Sequence, residues 1–220
     1  VSEVRKLWIK GSAGKLEAML RVAPSPRGTV VVAHPHPMYG GTMHNPVVFH
    51  ADRALHRAGW TTLRFNFRGV GRSEGIHDEG RGEVEDVAAA LSWMRGLSPD
   101  TPQVLVGYSF GAWCGYRHVL LEPSVDGFVA LGLAVKRYDF SDIVRLKVPI
   151  TVVQASNDEF GTPSEIEPLL HGAKGAVLRV VEGTTHLFSR RAEDAAAMVV
   201  EAAEQTLAAA ELRSLERSAS

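Results

Sequence analysis

From Thr29 onward, short apolar runs alternate with longer stretches of helical spacing, and this order constrains the fold more than any other feature. Thr29–Ala33 reads as a strand buried on both faces. Pro46 to Ala58 sets Val47, Val48, Ala51, Ala54, Leu55 and Ala58 at helical spacing, with Asn45 as N-cap, Pro46 at the first position and Gly59 as the stop. Thr61–Phe65 is the next strand. Gly82 to Met94 is a helix whose Val84, Val87, Ala88, Leu91 and Met94 share a face. The strand Gln103–Val106 and the helix Phe110–Leu121 follow, then strands at Gly127–Leu133 and Pro149–Gln154, a short helix at Ser164–His171 and a strand at Ala176–Val181. The last helix runs from about Asp194 to about Leu215; Val199, Ala202, Ala203, Thr206 and Leu207 could pack, while Leu212 and Leu215 fray. Val4–Ile9 and Leu16–Val22 form an opening hairpin through Gly11 to Gly14. A hairpin followed by repeated β-then-α units implies an α/β fold, with a mostly parallel sheet and helices on both faces.

The 220 residues suit a single domain spanning 1–220. A net charge of -1 gives no field to attract nucleic acid or an anionic membrane. No apolar stretch approaches the roughly 20 residues that span a bilayer. The start, Val1 to Leu7, has no signal-peptide core, and the lone Cys114 cannot form an internal disulfide, so a cytoplasmic location is expected.

Gly107-Tyr108-Ser109-Phe110-Gly111 sits between a strand and a helix. That placement is the pattern of a nucleophile elbow, a turn so tight that the serine is strained and its hydroxyl projects from the carboxyl edge of the sheet. A serine hydroxyl is a poor nucleophile at neutral pH and needs a base. Asp158 lies just beyond the Pro149–Gln154 strand, and His186 just beyond Ala176–Val181. Serine, acid and histidine in this order, all on loops at the carboxyl ends of parallel strands, point to a triad. His186 would take the serine proton and return it to the leaving group, and Asp158 would fix the imidazole tautomer. Glu159 is the rival acid. Activity should rise with pH as His186 loses its proton.

His34-Pro35-His36-Pro37-Met38-Tyr39-Gly40-Gly41 follows the Thr29–Ala33 strand, where the second half of an oxyanion hole belongs. One donor should be the Phe110 N–H. Pro35 and Pro37 have no N–H, so His36 is the best second donor by position, with Met38 next. The competing reading is a metal site of His34, His36 and His44, but no Asp-His pair follows the His-x-His and no cysteine is near, so no metal is assigned. Asn66 to Gly75 is rich in Gly and Arg, yet lacks the Lys-Ser/Thr of a phosphate loop. A structural role fits better, with Arg68 and Arg72 paired to carboxylates such as Glu83 or Asp86. Cys114 reads as a packed helix residue, and Trp113 and Tyr116 as core or pocket wall.

On these residues the chain resembles the α/β-hydrolase superfamily, from Thr29 to the last helix. It is most similar to small bacterial hydrolases like the dienelactone hydrolases, through the His-Pro-His-Pro…Gly-Gly loop and the Phe65–Gly75 stretch. The resemblance implies an α/β-hydrolase fold, with Ser109, Asp158 and His186 as nucleophile, acid and base, and the amides of His36 and Phe110 as oxyanion donors. Dienelactone hydrolases proper use cysteine where this chain has Ser109. Members with a lid insert it after the strand equivalent to Gly127–Leu133. Here only about fifteen residues follow before the next strand, so no cap domain and an open cleft are expected. Met38, Tyr39, Phe110, Phe188 and Val135 could supply apolar walls, with Met38, Tyr39 and Phe188 the substrate-binding candidates. The expectation is a cofactor-independent serine hydrolase of short-chain carboxylic esters, with a small-molecule ester as its partner. A thioesterase or peptidase on the same triad, a non-catalytic binding protein and a metal-dependent hydrolase are the alternatives. The oligomeric state is not legible.

Overall fold

The computed structural model describes residues 4–218, with side chains through residue 212 except that of residue 211. Val1 to Glu3 and the side chain of Leu215 thus lie outside the described residues, while Leu212 is exposed as expected. Eight strands form one sheet in the order β1-β2-β4-β3-β5-β6-β7-β8. β1 (Val4–Gly11) and β2 (Gly14–Arg21) make the opening hairpin, with Gly11 opposite Gly14, and β2 runs antiparallel to β4 (Thr61–Phe65). From β4 onward, through β3 (Thr29–Ala33), β5 (Gln103–Tyr108), β6 (Gly127–Leu131), β7 (Ile150–Ala155) and β8 (Val177–Val181), neighbours are parallel.

The period-2 geometry of a strand sends successive side chains to opposite faces. Val30, Val32, Val104 and Val106 therefore pack against α1 (Pro46–Arg57) and α5 (Ala192–Ser218). Val31 and Leu105 face the other way, toward α2 (Arg81–Leu97), α3 (Phe110–Leu121) and α4 (Pro163–Leu170). Each such fully buried side chain contributes about 1.5–3 kcal/mol by leaving water. With helices on both sides, the central strands carry no polar face, which is why they read as unbroken apolar runs.

Strand order reverses at β3, which lies between β4 and β5, with Ala33 in register with Gly107. The loops after β3 and β5 thus leave the same edge side by side and open a crevice there. Two boundaries differ from expectation. β5 runs to Tyr108 because Gly107 and Tyr108 pair with Ala130 and Leu131 of β6. β6 stops at Leu131, since Gly132 turns to φ 59. The β6–β7 connection carries a single 3-10 turn, Ser141–Arg145, and no inserted domain. No helix among the described residues is long and apolar enough to cross a membrane.

Candidate active site

Ser109 adopts φ 54 and ψ −111 between β5 and α3. A positive φ is strained for a residue with a Cβ and persists only where the surroundings hold it. Here the Ser109 N–H donates to Leu131 O at 2.8 Å, and the flanking glycines let strand, helix and loop pass closely. A Cβ on Gly111 would stand 2.5 Å from Ala33 O and 2.6 Å from His34 O; one on Gly107 would stand 2.5 Å from Gly111 O.

Ser109 Oγ lies 2.8 Å from His186 Nε2. His186 Nδ1 lies 2.8 Å from Asp158 Oδ2 and 3.0 Å from Oδ1. Asp158 is fully buried and also accepts from Phe160 N–H at 2.9 Å and Gln154 Nε2 at 2.8 Å. Its oxygens are acceptors, so the imidazole carries its proton on Nδ1, and Nε2 is left to accept the Ser109 hydroxyl. The His186 backbone is held on both sides. Its N–H donates to Glu159 Oε2 at 3.1 Å, and its C=O accepts from Tyr108 Oη at 2.9 Å. Glu159 therefore anchors the histidine loop, while Asp158 faces the imidazole. Burial pushes the Tyr108 hydroxyl well above its ordinary range, keeping it a donor.

The loop after β3 closes on His36, whose C=O accepts from Tyr39 and Gly41 N–H. A 3-10 turn, Pro37–Tyr39, follows. The Met38 N–H donates to His36 Nδ1 at 3.2 Å and is thereby occupied. The N–H groups of His36 and Phe110 enter no turn or loop bond among the described residues. His34 is buried beneath the loop. Its Nδ1 donates to Pro35 O at 2.7 Å, and its Nε2 accepts from Phe67 N–H at 3.1 Å. Burial lowers its pKa to about 4, so the ring is a neutral brace. With both nitrogens engaged, His34 cannot join His36 and His44 around an ion, and the described residues contain no group of three side chains placed to hold one.

The Gly- and Arg-rich loop is structural. Arg68 grips the buried Asp86 through Nη2 at 2.8 Å and Nε at 3.1 Å, and its N–H adds a bond at 2.9 Å. Glu83 pairs with no arginine: it accepts from Asp78 and Gly80 N–H and lies 2.7 Å from His77 Nδ1. Arg72 points to solvent. Met38 and Tyr39 stand 69% and 87% exposed at the rim. Phe188, expected as an apolar wall, borders a hollow beside Tyr108 and Leu187. Its side chain is 0% exposed, packed behind Tyr108, and the exposed neighbour is Leu187. Cys114 is fully buried, and burial pushes its thiol pKa well up. Trp113 stacks on Tyr138, and Tyr116 is buried against Phe140.

Two hollows flank the site: one of about 430 Å³ beside Val135, Tyr138 and Leu169, the other of about 760 Å³ between Pro46, His50, Tyr108 and Leu187. Ser109 lines neither and is 9% exposed at the carboxyl edge of the sheet. Sequence reasoning missed the bracing roles of Gln154, Tyr108 and His34. A polar residue closing an otherwise apolar strand was the available signal for Gln154.

The family model of the alpha/beta hydrolase fold matches residues 36–142. An uncharacterized protein of Rickettsia prowazekii, RP471, is 34% identical over 200 residues, 86% of this chain and 84% of that one. A crystal structure of a protein of unknown function from Agrobacterium tumefaciens, a putative alpha/beta hydrolase, superposes with TM-score 0.84 at 30% identity, covering 93% of this chain and 97% of that one. A Xanthomonas campestris member of the a/b serine hydrolases without a lid does so with TM-score 0.82 at 31% identity, covering 93% and 95%. Sheet order, elbow and likeness agree: the chain is a small, lidless hydrolase of the alpha/beta hydrolase superfamily.

Proposed function

We propose that this hydrolase cleaves carboxylic esters of short acyl groups through an acyl-enzyme on Ser109. The observation that carries the reading is the continuous relay from Ser109 Oγ through His186 to Asp158, with 2.8 Å at each link. Ser109 Oγ attacks the ester carbonyl carbon as its proton passes to His186 Nε2. The carbonyl oxygen gains negative charge opposite the N–H groups of His36 and Phe110. One such donor is worth about 10²–10³ in rate. As the tetrahedral intermediate collapses, the bond to the alcohol oxygen breaks and His186 returns the proton to it. Water then attacks the acyl-enzyme, His186 takes its proton, and the carbon–Oγ bond breaks to release the acid and restore the Ser109 hydroxyl. Asp158 stabilises the imidazolium in both halves. His186 carries every proton in this scheme. The short β6–β7 connection, with no inserted domain to cover a long chain, supports short acyl groups.

The test is labelling with a fluorophosphonate and hydrolysis of p-nitrophenyl acetate, with Ser109→Ala as control. Wild type should label at Ser109 and turn over, and the folded variant should do neither. Wild-type turnover by the variant would refute the mechanism. Matched thioester and aminoacyl-amide substrates separate an ester hydrolase from a thioesterase or peptidase.

A further inference from the structure

Phe110, the residue after Ser109, is the centre of a cluster of rings. We propose that these rings form an acyl subsite selective for compact aromatic acyl groups, of benzoyl or phenylacetyl size. The inference deepens the ester-hydrolase reading above and rests on it.

Phe110 is the floor. Its ring is buried and meets His36 at 4.7 Å, His77 at 5.6 Å, Trp113 at 6.0 Å and Tyr138 at 6.2 Å between centroids. Trp113 and Tyr138 stack at 4.5 Å and 16°. The Tyr39 ring lies 4.8 Å from that of His36 between centroids. Above the buried Phe110, the other five side chains keep exposed surface. They come from the β3 loop, the loop before α2, α3 and the β6–β7 connection, so rings from four separate segments converge on Phe110.

Several walls are braced. His77 is set against the buried Glu83, which Asp78 and Gly80 N–H hold in turn. The Arg117 guanidinium lies over Trp113 at 5.0 Å. Rings fixed in this way lose little freedom when a ligand stacks on them.

The direction follows from the reaction. The leaving oxygen must come within hydrogen-bond reach of His186 Nε2, and the oxyanion must face His36 and Phe110 N–H. The rings recorded against His186 are Tyr108 and Phe160, neither of them part of this surface. The acyl substituent takes the remaining direction, over Phe110. An aromatic acyl group there finds offset and edge-on partners that a linear chain of equal carbon number cannot use.

The experiment compares kcat/KM for p-nitrophenyl acetate, hexanoate, benzoate and phenylacetate, each divided by its hydroxide-catalysed rate. The aromatic-to-hexanoyl ratio should be about tenfold. Tyr39→Ala should cut that ratio about fivefold through KM, and Tyr138→Phe should keep it while Tyr138→Leu should not. A ratio near one in wild type, or variants that lower both substrates equally, would overturn the subsite. If acetate is turned over and Ser109 labels, that failure belongs to the subsite alone. If no ester is turned over and no label attaches, the ester-hydrolase reading falls and the subsite with it.

Discussion

Replacing Asp158 with asparagine changes one oxygen to NH2 and leaves shape and volume almost untouched, so its effect isolates the polarity of the acid position. In the native protein both carboxylate oxygens accept. Oδ1 takes the Phe160 N–H at 2.9 Å, Oδ2 takes Gln154 Nε2 at 2.8 Å, and His186 Nδ1 lies within 3.0 Å of each. Either orientation of an asparagine amide sets its NH2 against one of these donors. Gln154 cannot turn over to relieve this, because its Oε1 accepts Leu133 N–H at 2.8 Å and its Nε2 also donates to Gly161 O at 2.6 Å. With the NH2 at the Oδ2 position it faces His186 Nδ1–H as well as Gln154, and His186 escapes by moving its proton to Nε2 and accepting at Nδ1. That tautomer cannot take the Ser109 proton. We expect kcat to fall about 10³–10⁴-fold, equivalent to about 4–5.5 kcal/mol in the barrier. The fold should lose only about 1–3 kcal/mol, since relief of a buried charge offsets part of the lost hydrogen bonding. Steady-state hydrolysis of p-nitrophenyl acetate, read beside urea denaturation, separates the two effects. A loss below tenfold in a variant with a wild-type urea midpoint would refute the tautomer argument.

Other perturbations reach other parts of the structure. Gly111→Ala puts a methyl against the carbonyls of Ala33 and His34, which are backbone and cannot yield; a loss of about 3 kcal/mol or more should appear as a lower thermal midpoint. Arg68→Met leaves the buried Asp86 carboxylate unpaired and should cost about 3–5 kcal/mol in urea denaturation, with Asp86→Asn on the same chain recovering part of it. His34 is buried neutral, its pKa lowered from 6.5 to about 4, so the unfolded chain binds the proton first as pH falls. Its contribution is complete above 6.5 and is lost toward 4; between pH 7 and 5 this amounts to about 2 kcal/mol, which His34→Gln should remove from the pH dependence of the urea midpoint.

The parallel core was legible because strands covered on both faces are mostly apolar, with polar exceptions such as Thr62 and Arg64 that bond to Asp52 and to Met43 O. Thr29–Ala33 and Thr61–Phe65 have the bounds their sequence suggests. Phe110–Leu121 was legible too, since Ser109 and the apolar spacing after it fix where the helix starts. Gly107 and Tyr108 look like turn residues, and pairing with β6, and for Gly107 also with β3, makes them strand. At the site, loop order pointed to Asp158 and His186, but spacing cannot separate Asp158 from Glu159. The separation comes from three dimensions, where one carboxylate reaches the imidazole and the other the histidine's own N–H. A short loop offers no periodicity to show which of Leu187 and Phe188 turns inward. The bracing roles of His34 and Gln154 were not legible because they are set by distant backbone, at Phe67 in one case and at Leu133 and Gly161 in the other.

The histidine follows β8, an edge strand of the sheet in which only Val181 is buried. Edge strands open most readily, and their amides exchange with solvent first. Yet the peptide groups on either side of His186 are fastened elsewhere, to Glu159 after β7 and to Tyr108 at the end of the central β5. Opening of the sheet margin and displacement of the imidazole are therefore separate events. In a hydrogen-exchange experiment the His186 amide should be protected with the amides of β5 rather than with those of β8, so the proton carrier keeps the timing of the centre of the protein while hanging at its rim.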